Sequence, residues 1–214
     1  MIPFDAEAFS RLFAQYNAAI WPAQFGALVL GLTALWLSVK PRPWSGRFIA
    51  ASLAAFWLWC GVVYHIQFFT TINWAAWGFG AIFAVQGIAF LWSGAVRGRL
   101  DFRFAETRSD WFGLGLAAFA ILVYPSLSWA VGRDWLEVGL FGVAPCPVTI
   151  YTFGLLMLCK PRIPLALLII PVLWSVVGIS TVWALARPED LILAAAAGLA
   201  LGFAVAQRLR HLRF

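Results

Sequence analysis

Charge is scarce in this sequence: only 11% of its 214 residues are charged and 63% are hydrophobic, whereas soluble domains are about a quarter charged and about half apolar. That balance excludes an ordinary soluble fold. At roughly 20 residues per membrane-crossing helix plus short connections, the chain holds six to eight spans and leaves no separate soluble domain. Cysteine is scarce as well. Cys60, Cys146 and Cys159 form no CxxC pair and no even framework, which excludes a disulfide scaffold. Acidic side chains are missing from the core of every apolar run, which argues against a carboxylate proton relay or a sodium-coupled pump and favours a facilitator. No phosphate-binding glycine loop, HExxH pair or nucleophile elbow is present, so nothing points to an enzyme and no cofactor is implied. The opening Met-Ile-Pro-Phe-Asp-Ala-Glu has no basic region followed by an apolar one, so the first span is expected to stay in the mature protein. The net charge of +6 falls at span ends rather than in a patch with interleaved aromatics, and nucleic acid is not expected as a partner.

What is present is a series of apolar runs at about 19–39, 48–69, 74–96, 111–131, 138–159, 163–185 and 190–207. Backbone satisfaction in lipid makes them helices, so the expected fold is all-α, a polytopic bundle of seven transmembrane helices. Residues 1–214 form one transmembrane domain. Within it, 1–18 read as a short interfacial helix, with Phe4, Phe9, Leu12, Phe13 and Tyr16 at helical spacing. Residues 19–96 are a first three-helix unit, 97–137 a linker span with its loops, 138–207 a second unit, and 208–214 a tail.

Alternate connections hold Lys40, Arg42 and Arg47; Arg97, Arg99, Arg103 and Arg108; Lys160 and Arg162; and Arg208, Arg210 and Arg213. Only Arg11, Arg133 and Arg187 fall on the other side, among Asp5, Glu7, Asp134, Glu137, Glu189 and Asp190. The basic excess marks the cytoplasmic face, with the N-terminus outside, the C-terminus inside and membrane lipid as the surrounding partner. Trp21, Trp44, Trp74, Trp111 and Trp135 sit near the expected interfaces as anchors.

The two units share landmarks. Lys40-Pro41-Arg42 closes the first span and Lys160-Pro161-Arg162 the fifth; Trp57 and Gly61 follow the first lysine as Trp174 and Gly178 follow the second, after one three-residue shortening. Trp21-Pro22-Ala23-Gln24 and Cys146-Pro147-Val148-Thr149 open the two units. Either this is a parallel 3+1+3 repeat or common residues coincide. As an architecture it is similar to the SWEET sugar facilitators and their PQ-loop relatives. The proline-glutamine dipeptide itself is absent: Ala23 separates Pro22 from Gln24, and Thr149 stands where the second glutamine would be.

Pro145-Cys146-Pro147 is expected to break or kink the fifth span in the outer leaflet, leaving a half-helix whose first N–H groups could face a ligand. The candidate cavity residues are Asn17, Gln24, Tyr64, His65, Gln86, Cys146 and Thr149. Helical rise puts Cys60 and Cys146 each roughly 20 Å from the cytoplasmic edge and His65 just under the outer surface. A soft metal on Cys60, His65 and Cys146 is one alternative; buried thiols and an interfacial histidine without a ligand are the other. Asp110, Glu189 and Asp190 at span ends read as helix caps or headgroup contacts. Gly198 and Gly202 read as a packing face within the bundle or a homo-oligomer contact.

Three segments, Tyr16 to Gln24, Gly61-Val62-Val63-Tyr64-His65 and Pro145 to Thr149, resemble a bacterial inner-membrane family known only as a domain of unknown function, DUF6064. That resemblance covers nearly the whole chain and implies no substrate. The expected function is a facilitator or channel-like transporter of a small solute through an outward-facing polar cavity. The alternatives are a membrane protein handling thiols or soft metals through Cys60 and Cys146, and a sensor or assembly factor.

Overall fold

The computed structural model describes residues 4–130, 132–185 and 187–211; Arg213 lies outside them. The regular secondary structure of the described residues is helical apart from one two-residue ladder. Helix α1 is Ala6–Ala19, α2 Ala23–Val39 and α3 Ser45–Trp59, which continues as a π-type turn over Cys60–Phe68. Next come α4 at Ala76–Phe90 and the strand β1 at Asp101–Phe102, then α5 at Arg108–Leu122 and α6 at Tyr124–Ala130. The chain closes with α7 at Pro145–Met157, β2 at Cys159–Lys160, α8 at Leu165–Ala184 and α9 at Leu191–His211. β1 and β2 pair antiparallel, Asp101 opposite Lys160.

Side chains and backbone sort the connections into two ends. At one end Phe104 N–H donates to Ser38 O, Arg103 N–H to Leu158 O and Ile163 N–H to Gln207 Oε1. This gathers the four basic connections, and Arg42, Arg47, Arg97 and Arg103 there surround a depression of about 570 Å³. At the other end Asn17 bonds the 136–138 backbone, Tyr124 bonds Asp190, and Phe9 packs on Phe69.

Four helical stretches are long and apolar enough to cross a membrane: Ser45–Thr71, Ala76–Val96, Leu165–Val182 and Pro188–Arg210. A fifth is counted if α1 and α2, bent by 85°, form one broken span. By length and apolarity the helices thus supply four or five of the seven expected spans. Over 138–159 only the 13 residues of α7 are helical, about 20 Å of rise, short of a hydrocarbon core of about 30 Å. Every residue from Pro147 to Met157 is buried, so α7 is a central helix, apolar all round because protein surrounds it. The irregular Val138–Ala144 segment ahead of it is buried in protein, the setting in which non-helical backbone persists at membrane depth.

The reason that segment is tolerated lies in α1. Asp5 caps this helix by accepting the Ala8 N–H at 2.7 Å, and its stripe of Phe9, Leu12, Phe13 and Tyr16 is buried against the bundle. From that stripe the Tyr16 hydroxyl donates to Val143 O at 2.7 Å, and the Asn17 amide donates to Leu136 O at 2.6 Å and Val138 O at 3.0 Å. These satisfy carbonyls that no helix satisfies.

Candidate functional site

Just before α9, Pro188–Asp190 make a single 3-10 turn, with Asp190 N–H donating to Arg187 O at 3.1 Å. A proline in the first turn surrenders no needed N–H. The turn carries Asp190 inward, where it is 3% exposed. Its Oδ1 accepts the Tyr124 hydroxyl at 2.7 Å from the start of α6, and its Oδ2 lies 2.7 Å from the Thr181 hydroxyl on α8. Glu189 pairs with Arg133 and lies 3.9 Å from Arg187. The Arg187 guanidinium is 6% exposed and sits over the rings of Phe9 and Phe13 at 4.8 and 5.2 Å, cation–π contacts that tie the turn to α1.

These residues form one wall of a cavity of about 260 Å³. Phe9 and Phe13 of α1, Tyr64 and Phe69 past α3, and Trp74 and Phe79 at the start of α4 supply aromatic faces. Pro145, Cys146 and Pro147 of α7 line it, as do Trp174, Gly178 and Thr181 of α8. The Cys146 thiol is surrounded by Asp190, Tyr124 and Trp174. Pro145 and Pro147 do not break a span; they start α7 within its first turn. With no N–H on either proline, Cys146 is the one residue of the first three that carries a helix-start donor.

Of the residues expected to share a cavity, Tyr64 and Cys146 line it and the others stand elsewhere. His65, expected just beneath the outer surface, is 0% exposed. Its Nδ1 lies 2.8 Å from Cys60 O, so it donates there; Nε2 has no partner among the described residues, and Tyr64, Phe79, Phe83 and Trp174 enclose the ring behind the cavity wall. Asn17 serves the backbone ahead of α7, and Gln24 donates to Asn17 O at 2.8 Å. Gln86 donates to Leu167 O at 3.0 Å, tying α4 to α8, and Thr149 donates to Pro145 O at 2.8 Å within its own helix.

Cys60 is buried next to Tyr16 and Tyr64, and all three cysteines are free. Among the described residues no group of three or more His, Cys, Asp or Glu side chains is placed to hold a metal ion.

Sequence alone does not bring Asp190, Tyr124, Thr181 and Arg187 together: the position of Asp190 at the edge of an apolar run suits a helix cap or headgroup contact, and the inward turn of Pro188–Asp190 is visible only in the fold. Trp174 and Gly178, whose spacing from Lys160 resembles that of Trp57 and Gly61 from Lys40, both line the cavity. Trp57 and Trp174 pack on the same ring, Phe83, at 4.4 and 4.9 Å. Gly61 and Gly178 each face the following helix, against Gly80 O and Leu193.

A family model described as a family of unknown function (DUF6064) matches residues 6–213. No curated protein and no solved structure matches the chain.

Proposed function

We propose the function of this chain, which belongs to the family of unknown function DUF6064, from its cavity alone: it is a facilitator that receives a small solute at the end opposite its basic connections. The observation that carries this is a cavity of about 260 Å³ at one end, largely aromatic-lined with Arg187 and Asp190 in one wall. Toward the middle of the bundle the packing is closed. Trp57 donates to Thr152 Oγ1 at 2.9 Å, Tyr151 donates to Gly31 O at 2.7 Å, and Phe56, Ile150 and Phe153 are buried around them. A cavity open at one end over a closed floor is one state of an alternating-access cycle.

On this reading the chain crosses the bacterial inner membrane seven times, with its N-terminus outside and its basic end in the cytoplasm. The short α7 crosses inside a sheath of the other helices. The parallel repeat is supported by the two tryptophans sharing Phe83.

The test uses a Cys60→Ala, Cys159→Ala protein in which Cys146 is the only thiol. In intact cells an impermeant thiol reagent is expected to label Cys146 from outside. In proteoliposomes a size series of small polar solutes is expected to include one that accelerates swelling, and labelled Cys146 is expected to slow it. Labelling without accelerated swelling by any solute would turn the reading to a sensor that binds without flux; absence of labelling would remove the cavity reading itself.

A further inference from the structure

The charges around this cavity specify a class of ligand, an inference that rests on the cavity being a binding site. Arg187 and Asp190 both line it and do not pair with each other. Asp190 has the Tyr124 and Thr181 hydroxyls and the Cys146 thiol as partners and no ion pair among the described residues. Arg187 Nη2 has no hydrogen-bond partner, and the guanidinium's contact with the Glu189 carboxylate runs through Nη1 at 3.9 Å, beyond hydrogen-bond reach. A second donor at the cavity, Trp174 Nε1, has no nitrogen or oxygen acceptor and lies beside the Cys146 thiol. Buried donors of this kind are unfavourable unless something supplies an acceptor.

We infer that the cavity takes a small zwitterion, an amino-acid-like molecule. Its carboxylate accepts from Arg187 Nη2 and Trp174 Nε1, and its ammonium sits at Asp190 against the neighbouring aromatic faces. One 3-10 turn holds Arg187 and Asp190 three residues apart, within the span of one small molecule. The charge balance selects against ions of one sign. Arg133, Arg187, Glu189 and Asp190 already sum to zero, so a simple cation or anion would leave a net charge in a weakly solvated site. A plain amine would also leave both donors unpaired, and a plain acid would leave Asp190 without its cation. The walls of Phe69, Phe79 and Tyr64 suit an apolar side chain on the ligand.

The experiment measures protection of Cys146 in the Cys60→Ala, Cys159→Ala protein in proteoliposomes, with methyl methanethiosulfonate as the label. The probes are phenylalanine and leucine, their amides, which keep only the ammonium, and their N-acetyl forms, which keep only the carboxylate. At least one free amino acid is expected to slow labelling about tenfold, with either one-charge analogue requiring at least about tenfold more for the same effect. Asp190→Asn is expected to erase the preference over the N-acetyl form, and Arg187→Gln the preference over the amide. The analogue comparison on the unchanged charges stands even if a variant does not fold. Equal protection by the one-charge analogues, or labelling that no probe slows, overturns the zwitterion while the cavity reading stands. If Cys146 does not label at all, both fall.

Discussion

Two aspartates at the starts of apolar stretches, Asp110 and Asp190, look alike in sequence and are put to opposite uses. Asp110 is 0% exposed and fully engaged. Its Oδ1 accepts Lys160 Nζ at 2.6 Å, its Oδ2 accepts the N–H groups of Ala105 and Thr107 at 2.9 and 3.1 Å, and it completes a capping box with Thr107. Burial alone would raise its carboxyl; the Lys160 ammonium and the surrounding N–H and hydroxyl donors override this and hold it below the usual carboxylate range.

A carboxyl depressed in the folded state contributes stability that is complete above its unfolded value of about 4 and is lost as pH falls through the folded value. Thermal unfolding of the purified protein in detergent, followed against pH, is therefore expected to show an acid limb below about pH 4. Asp110→Asn should flatten that limb and lower the midpoint at neutral pH. Asn17 allows a second prediction. Asn17→Ala strands the carbonyls of Leu136 and Val138, a loss of about 1–3 kcal/mol, to be read as a shift in denaturant-induced unfolding.

At the scale of helices, the closest crossing is that of α5 on α7. A Cβ on Gly113 would lie 2.6 Å from Gly154 O, and one on Gly154 would lie 2.6 Å from Gly113 O, so the two backbones touch and neither position has room for a side chain. Gly154→Val is expected to destabilise the bundle by about 1–3 kcal/mol or more through overpacking, seen as loss of the monodisperse species in detergent. Gly198 and Gly202 on α9 make the contrast. A Cβ at either meets nothing within 4 Å, so this face is not used within the bundle, and Gly198→Leu should leave the same profile unchanged to within about 0.5 kcal/mol. Sequence composition treats all four glycines alike. The distinction depends on which helix lies opposite, which local spacing does not encode.

For the whole molecule, the alternation of basic and basic-poor connections was legible in the chain, and Lys40, Arg97, Lys160 and Gln207 do belong to segments gathered at one end. The helix at residues 6–19 was legible from its spacing of Phe9, Phe13 and Tyr16, though what its apolar face covers was not. The cavity was half legible. Of the seven residues expected around one cavity, Tyr64 and Cys146 line the one described, while Asp190 and Arg187, which sequence places at span ends, line it too.

Membership of a helical bundle built from apolar runs, and the grouping of its connections, follow from hydropathy and charge, because burying backbone in an apolar medium permits few alternatives. How deep a span-end residue lies, whether a 22-residue apolar run is helical throughout, and which polar groups meet follow from turns and crossings made by residues far apart in sequence. The Pro188–Asp190 turn brings a carboxylate to Tyr124, 66 positions away, and Tyr16 reaches across 127 positions to support the backbone before α7. Those contacts exist only once the helices have packed, and they decided where the cavity is and what chemistry faces it.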